Sequence, residues 1–294
     1  MLKKLLNISP NVVFDEPMSD HTSFRIGGNA DAFVSAESAE EIRSLVSFCK
    51  EKGIPYMLMG NGSNMLVSDK GIRGLVIQVG NGMQKCSIEG DTVRAQAGIL
   101  MSKLAHEILR AELSGFETLS GIPGTLGGGI YMTAGAYGGE IKDVAEEITY
   151  IDNDGNIKTI NGDGADFSYR HSVFEENGYI ILSAKLKLKK GNYDDIKSAM
   201  TDYNKRRADK QPLNMPSAGS TFKRPEGYFA GKLIQDSGLM GYSVGGAQVS
   251  EKHSGFIVNT GDATCRDIVA LAEHVEKVVF EKTGVKIEKE MIIV

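Results

Sequence analysis

The sequence predicts an α+β protein in which a strand-rich region gives way, near Gly191, to a smaller α+β domain. Three observations lead there. Helical stripes of period 3.6 are interleaved with short apolar runs, two of which flank an Asp154-Gly155 turn. Residues 121–139, GIPGTLGGGIYMTAGAYGG, hold eight glycines among nineteen residues yet stay apolar through Ile122, Leu126, Ile130, Tyr131 and Met132. After Gly191 the pattern changes to a long charged helix, a break marked by Pro212 and Pro216, and a final capped helix.

The composition sets limits. A chain of 294 residues suits two or three domains, and 41% hydrophobic residues can bury a substantial core. With 33 basic against 38 acidic residues, the net charge of −5 argues against nucleic acid as a partner. No run of eighteen apolar residues occurs, so membrane insertion is not expected. The opening MLKKLLNISP lacks the apolar length and cleavage site of a secretory signal. Cys49, Cys86 and Cys265 are odd in number and contain no CxxC, which predicts reduced thiols and a cytoplasmic location. His21, His106, His171, His253 and His274 show no zinc-type spacing, so no metal is expected.

Taken in order, Ser38 with Glu41 has the spacing of a capping box, and a helix follows with Ile42, Leu45, Val46 and Cys49 on one face. Gly53 ends it. Residues 56–59 form a short apolar strand leading into Gly60-Asn61-Gly62-Ser63-Asn64. Residues 75–79 and 93–97 predict two more strands, and 101–112 a helix with Leu104, Ala105, Ile108 and Leu109 inward. The Asp-Gly hairpin joins 147–151 to 157–160, and 179–188 alternates apolar residues with lysines. Beyond Gly191, 193–207 is one helix, acidic at Asp194 and Asp195 and basic at its end, as its dipole favours. A short helix at 230–235, a strand at 255–258 and a helix capped by Thr264 follow. Strands are expected at 285–287 and 291–294.

Backbone freed of side chains beside an apolar wall suits a large cofactor with a pyrophosphate. Tight packing between sheets explains the 121–139 composition as well, and both readings stay open. GNGSN at 60–64 follows a strand, as phosphate-cradling loops do, but a plain strand–turn–strand hairpin fits equally. It is not GxGxxG and no helix pattern follows it, so a nicotinamide-type Rossmann fold is disfavoured. Arg170, in FSYRHSVF, is either an ion-pair partner or a planar clamp for a carboxylate. Ser220 has no GxSxG elbow around it and no evident His/Asp partner, so it does not read as a hydrolase nucleophile, and a turn hydroxyl or helix cap is the plainer reading. Glu288 and Glu290, two apart on a strand, would share a face.

Six ordered blocks then resemble one family: HTSFRIGG (21–28), GNGSNMLVSD (60–69), GIPGTLGGGIYMTAGAYGGE (121–140), YRHSVF (169–174), AGSTFKRP (218–225) and EKEM (288–291). The chain is similar to the UDP-N-acetylenolpyruvoylglucosamine reductases from about His21 to its end. The resemblance implies an N-terminal segment over 1–21 and an FAD-binding domain of the vanillyl-alcohol-oxidase (PCMH) type over 22–190. That domain would comprise two α+β subdomains split near 75, followed by an α+β substrate domain over 191–294. Non-covalent FAD would be held by Gly60, Asn61, Gly62, Ser63, Asn64, Gly121, Ile122, Pro123, Gly124 and Gly128. NADPH would reduce FAD, and flavin N5 would pass hydride to C3 of the enolpyruvyl ether of UDP-N-acetylglucosamine. Ser220 would protonate C2, with Arg170 and Glu290 stabilising the charge on the substrate carboxylate. Tyr169, Lys210 and Arg224 would contact substrate.

The chain departs from the family's longer form, which closes a tyrosine-bearing loop over the substrate. Too few residues separate Leu188 from Arg206 to hold that loop, so the shorter type II form is expected, as a monomer. Two rivals share the cofactor reading. One is a flavin oxidase using dioxygen, with His21 as the nearest covalent tether. The other is a non-catalytic flavin or nucleotide-binding module.

Overall fold

The computed structural model describes residues 1–294, and the chain divides into two compact units, each assembled from three segments. The first unit takes Met1–Val13, Ala32–Asn61 and Gly74–Arg207; the second takes Phe14–Asp31, Gly62–Arg73 and Ala208–Val294.

The first unit is built on a five-stranded antiparallel sheet in the order Ile157–Asn161, Ala145–Ile151, Ile180–Lys187, Thr92–Gln96, Cys86–Glu89. Its outer hairpin forms as the Asp-Gly pair predicts. Asp152 Oδ1 accepts the amides of Asp154 and Asn156 at 2.9 Å each, and Gly155 takes φ 83. Lys158, 2.6 Å away, and those amides hold the Asp152 carboxyl down to about 2. The helix Ala39–Lys52 begins where Ser38 Oγ accepts Glu41 N–H and ends at left-handed Gly53. Ile42, Leu45, Val46 and Cys49 are its buried face, as expected. The strand Tyr56–Met59 pairs in parallel with Leu75–Gln78 of the strand Ile72–Val79. The hairpin alternative for the loop after Met59 is thereby replaced by a parallel connection.

The helix Met101–Arg110 buries Leu104, Ala105, Ile108 and Leu109. The glycine segment is stitched alongside: Gly127 N–H donates to Ala97 O, Leu126 N–H to Ile99 O, and Met101 N–H to Gly124 O. Inside it a short helix, Leu126–Tyr131, starts where Thr125 Oγ1 accepts Gly128 N–H. The glycine content hides that helix from a propensity reading.

In the second unit the helix Cys265–Thr283 buries Ile268, Leu271, Ala272, Val275 and Val279. Each of these side chains but Ala272 contributes about 1.5–3 kcal/mol by leaving water. They pack with the antiparallel strands Ser243–Val244, Ala247–Val249 and Ile257–Asn259 and the helix Ala230–Asp236. Phe24, Ile26 and Leu66 belong to this same core. Met65–Leu66 pairs in parallel with Ile292–Ile293, and Ser68 N–H donates to Val294 O at 2.6 Å.

Two boundaries differ from expectation. Gly191 is no linker: its N–H donates to Glu112 O, and Lys189–Lys190 pairs with Leu113–Ser114. The helix Tyr193–Lys210 buries Ile196 and Met200 in the first unit's core, so the division falls at Arg207 rather than at 190. Residues 22–31 and 62–73 fall in the second unit rather than with the region up to 190, because their apolar side chains fill its core. The strand expected at 285–287 does not form. Ile287 is buried without a ladder, and pairing begins at Lys289, opposite Phe222.

Candidate functional site

In the first unit the glycine segment meets both the other glycine loop and Arg170. A Cβ on Gly60 would lie 2.5 Å from Thr125 Oγ1, so the two glycine stretches touch backbone to side chain at that point. Gln78 Nε2 donates to Gly60 O at 3.3 Å and fixes the loop's start. Within 121–139 the glycines differ. Gly127 and Gly129 are buried, and a Cβ on Gly127 would sit 2.9 Å from Ala97 Cβ; these serve packing. Pro123 and Gly128 are exposed, and a Cβ on Gly128 would meet only Thr125 Oγ1, at 3.5 Å. The packing reading therefore holds for Gly127 and Gly129, while Pro123 and Gly128 leave their backbone open to approach.

Arg170 occupies a tight turn in which Ser168 and His171 exchange backbone hydrogen bonds of 3.1 and 3.2 Å. It adopts φ 57, a left-handed conformation uncommon for a side chain other than Gly or Asn. Its Nη1 donates to Thr133 O at 3.3 Å, and its guanidinium lies 5.0 Å from the Tyr169 ring centroid. Thr133 is fully buried at φ 46, and its Oγ1 donates to His171 O at 2.6 Å. Ser172 Oγ donates to Tyr131 O at 2.6 Å. The YRHSVF turn is thus pinned to residues 131–133 of the glycine segment. Burial, with Glu175 nearby, pushes the Tyr131 phenol up.

In the second unit Ser220 sits between left-handed Gly219 (φ 73) and an anchored Thr221. Thr221 N–H donates to Gly255 O, and Thr221 Oγ1 accepts Ile257 N–H, both at 2.9 Å. His253 Nδ1 accepts Gly255 N–H at 3.2 Å, and burial pushes that imidazole down, favouring the neutral form. Glu290 N–H donates to Thr221 O and Lys223 N–H to Glu288 O, both at 2.8 Å. Ser220 therefore neighbours a two-stranded ladder whose other strand carries Glu290. Glu290 is half-buried and Glu288 exposed, with Lys289 between them paired to Glu276 at 2.7 Å.

Gly60 and Asn61 fall in the first unit, as do Tyr169 and the 121–128 residues; Gly62, Ser63, Asn64, Lys210 and Arg224 fall in the second. Lys210 ends its helix, exposed. Arg224 is exposed, donates to Tyr228 O and stacks 4.0 Å from the Phe229 centroid. Sequence reasoning missed Thr133, whose only signal is a β-branched residue among glycines. It also missed Asp69, whose carboxylate accepts the amides of Cys265 and Arg266 at 2.7 and 3.2 Å. Asp166, His171 and Glu176 bring one ligand atom each within 4.8 Å of one another, a grouping their spacing does not reveal.

Comparison with known proteins identifies the relatives of the chain. Residues 211–294 match the model for the UDP-N-acetylenolpyruvoylglucosamine reductase C-terminal domain, and 30–161 match an FAD-binding domain. The chain is 50% identical to a UDP-N-acetylenolpyruvoylglucosamine reductase of Caldanaerobacter subterraneus, over 100% of this chain and 96% of that one. It is also 50% identical to that of Alkaliphilus oremlandii, over 99% and 97%. The crystal structure of the Thermus caldophilus reductase superimposes with a TM-score of 0.83 at 34% identity, covering 96% of this chain and 97% of that one.

Proposed function

The chain belongs to the UDP-N-acetylenolpyruvoylglucosamine reductase family, and we propose that it performs that family's reduction with Arg170, Ser220 and Glu290. It is an α+β, FAD-containing oxidoreductase acting on the enolpyruvyl ether of UDP-N-acetylglucosamine in peptidoglycan precursor synthesis. The residues present fit the cofactor. Exposed Gly128 and the close-packed Gly60 offer bare backbone where a large planar group with a diphosphate must approach. Gly60, Asn61, Gly62, Ser63, Asn64, Gly121, Ile122, Pro123, Gly124 and Gly128 would hold it, and when bound it supplies the hydride.

The remaining chemistry falls to side chains. Hydride addition at C3 pushes electrons onto the substrate carboxylate as an aci-enolate. A guanidinium at Arg170 and the acid at Glu290 stabilise that charge as it develops, each such donor being worth about 3 kcal/mol. The Ser220 hydroxyl then delivers its proton to C2, a contribution of about 10² to 10⁴ in rate. The left-handed turn supports this role for Arg170: a costly conformation held by a buried threonine suits a residue whose direction matters. Tyr169, Lys210 and Arg224 are the proposed substrate contacts, Lys210 and Arg224 as exposed cations suited to the diphosphate. NADPH is the proposed hydride source, the cytoplasm the location and a monomer the working form. No helix is long and apolar enough to cross a membrane.

The observation that carries the assignment is the ladder placing Glu290 N–H on Thr221 O, one residue from Ser220. The test is anaerobic reduction of the bound flavin by NADPH followed by mixing with the enolpyruvyl UDP-sugar. Ser220→Ala should leave the first phase intact and slow flavin reoxidation by about 10² or more. Unchanged reoxidation would remove Ser220 as proton donor, and reoxidation only in air would favour an oxidase.

A further inference from the structure

The loop that supplies Asn64 also grips the strand that carries Glu290. Asn64 Nδ2 donates to Glu290 O at 3.2 Å, and Asn64 O accepts Ile292 N–H at 2.9 Å. The parallel pairing of Met65–Leu66 with Ile292–Ile293 continues directly from these bonds. On its other edge the same strand gives Glu290 N–H to Thr221 O at 2.8 Å. The peptide groups on both sides of the Glu290 Cα are therefore fixed, one by residues next to Ser220 and the other by Asn64. A main chain restrained at both neighbouring peptides leaves the carboxyl only its own rotamers.

We propose that Asn64 is a positioning residue that acts on the reaction through Glu290, holding the acid's backbone with its side-chain amide. The proposal rests on the reading of Glu290 given above. It gives Asn64 a task distinct from backbone contact with the cofactor, and it explains the residue type. The amide donates to the Glu290 carbonyl with a group that carries no charge, whereas an aspartate of the same shape has no proton to give at neutral pH.

The expected signature is non-additivity, measured as the rate of flavin reoxidation by the enolpyruvyl UDP-sugar after anaerobic NADPH reduction. Wild type, N64A, E290Q and N64A/E290Q are compared, each at equal FAD occupancy by absorbance. N64A should slow reoxidation about tenfold and by clearly more than it slows NADPH reduction at the same FAD occupancy. E290Q should slow reoxidation further, and the double variant should match E290Q within about twofold, because a misplaced acid costs nothing once the acid is gone. N64D, of the same shape without the donor, should behave as N64A does. Penalties that multiply in the double variant would overturn the proposal, as would equal slowing of both half-reactions. If E290Q reoxidises at the wild-type rate, the reading of Glu290 fails instead. Amide exchange then decides the structural part: N64A should speed exchange at Glu290 and Ile292, and unchanged exchange there would overturn the positioning itself.

Discussion

In the first unit Arg170 sits at φ 57 on a turn pinned by the buried Thr133, whose own φ is 46. In the second, Ser220 and Glu290 adjoin an antiparallel bridge, Phe222 opposite Lys289, closed by two backbone bonds and continued by the ladder of Ile292–Ile293 with Met65–Leu66. One unit aims its side chain with strained backbone, the other with ordinary strand pairing. The difference teaches where each can fail. A ladder shares its restraint among several bonds, so losing one leaves register intact. A left-handed turn persists only while its surroundings over-determine it, so each lost bond erodes a conformation the backbone does not itself favour.

The comparison breaks most sharply at the guanidinium. Arg170→Lys keeps the charge but lacks the planar fork, and substrate-dependent flavin reoxidation should fall by about 10² to 10³. Stopped-flow absorbance checks it, and a change under tenfold would reduce Arg170 to a structural cation. Matched threonine variants sharpen the contrast. Thr133→Val removes one donor from His171 O, which keeps Ser168 N–H, and should cost about 0.5–1.5 kcal/mol in a urea titration. Thr221→Val takes the hydroxyl acceptor from the buried Ile257 N–H, at about 1–3 kcal/mol. Turnover should drop more in Thr133→Val, because its turn has no second strand to hold it; equal losses of turnover would end the distinction.

The glycine segments offer a milder test of packing against cofactor approach. Gly60→Ala drives a methyl into Thr125 Oγ1 and should cost about 1–3 kcal/mol in stability as well as FAD affinity. Gly128→Ala has room and lies in a helix, so stability should hold or rise by up to about 1 kcal/mol. Its FAD affinity, read by fluorescence titration, should nevertheless fall; unchanged affinity would make Gly128 incidental.

The smallest effect is expected at the outer hairpin. The folded Asp152 carboxyl lies near 2, below its ordinary value of 3.8, so its contribution is complete above about pH 4 and is lost as pH falls through 2. Asp152→Asn should lower the urea midpoint at pH 6, and the gap from wild type should close between pH 4 and 2. A gap constant with pH would assign the difference to the turn's shape rather than to the charge.

Local signals survived the passage from sequence to structure. Ser38, Gly53 and Thr264 mark helix ends in both, and Asp154-Gly155 makes its hairpin. Each depends on residues within one turn of one another, so the sequence contains the whole cause. The left-handed state of Arg170 was not legible, since nothing in YRHSVF favours it; Thr133, 37 positions earlier, helps to hold it. The short helix within 121–139 was hidden by its glycines, although Thr125 followed three residues later by Gly128 held the trace of a cap. The unit boundaries were hidden for a different reason. Phe24, Ile26 and Leu66 fill a core whose other members begin at Ala218, and only long-range packing reveals such membership.

That discontinuity bears on how freely the second unit can be moved between proteins. A fragment cut at 211–294 would lack Phe24, Ile26 and Leu66, and with them Met65–Leu66, the strand that receives Ile292–Ile293. Transplanted alone, such a cassette would leave apolar surface bare and an edge strand unpaired, a combination that invites aggregation. Refolding should feel the same constraint. The second unit cannot close until segments more than 200 positions apart have met, so its nucleus should form after the first unit's hairpins.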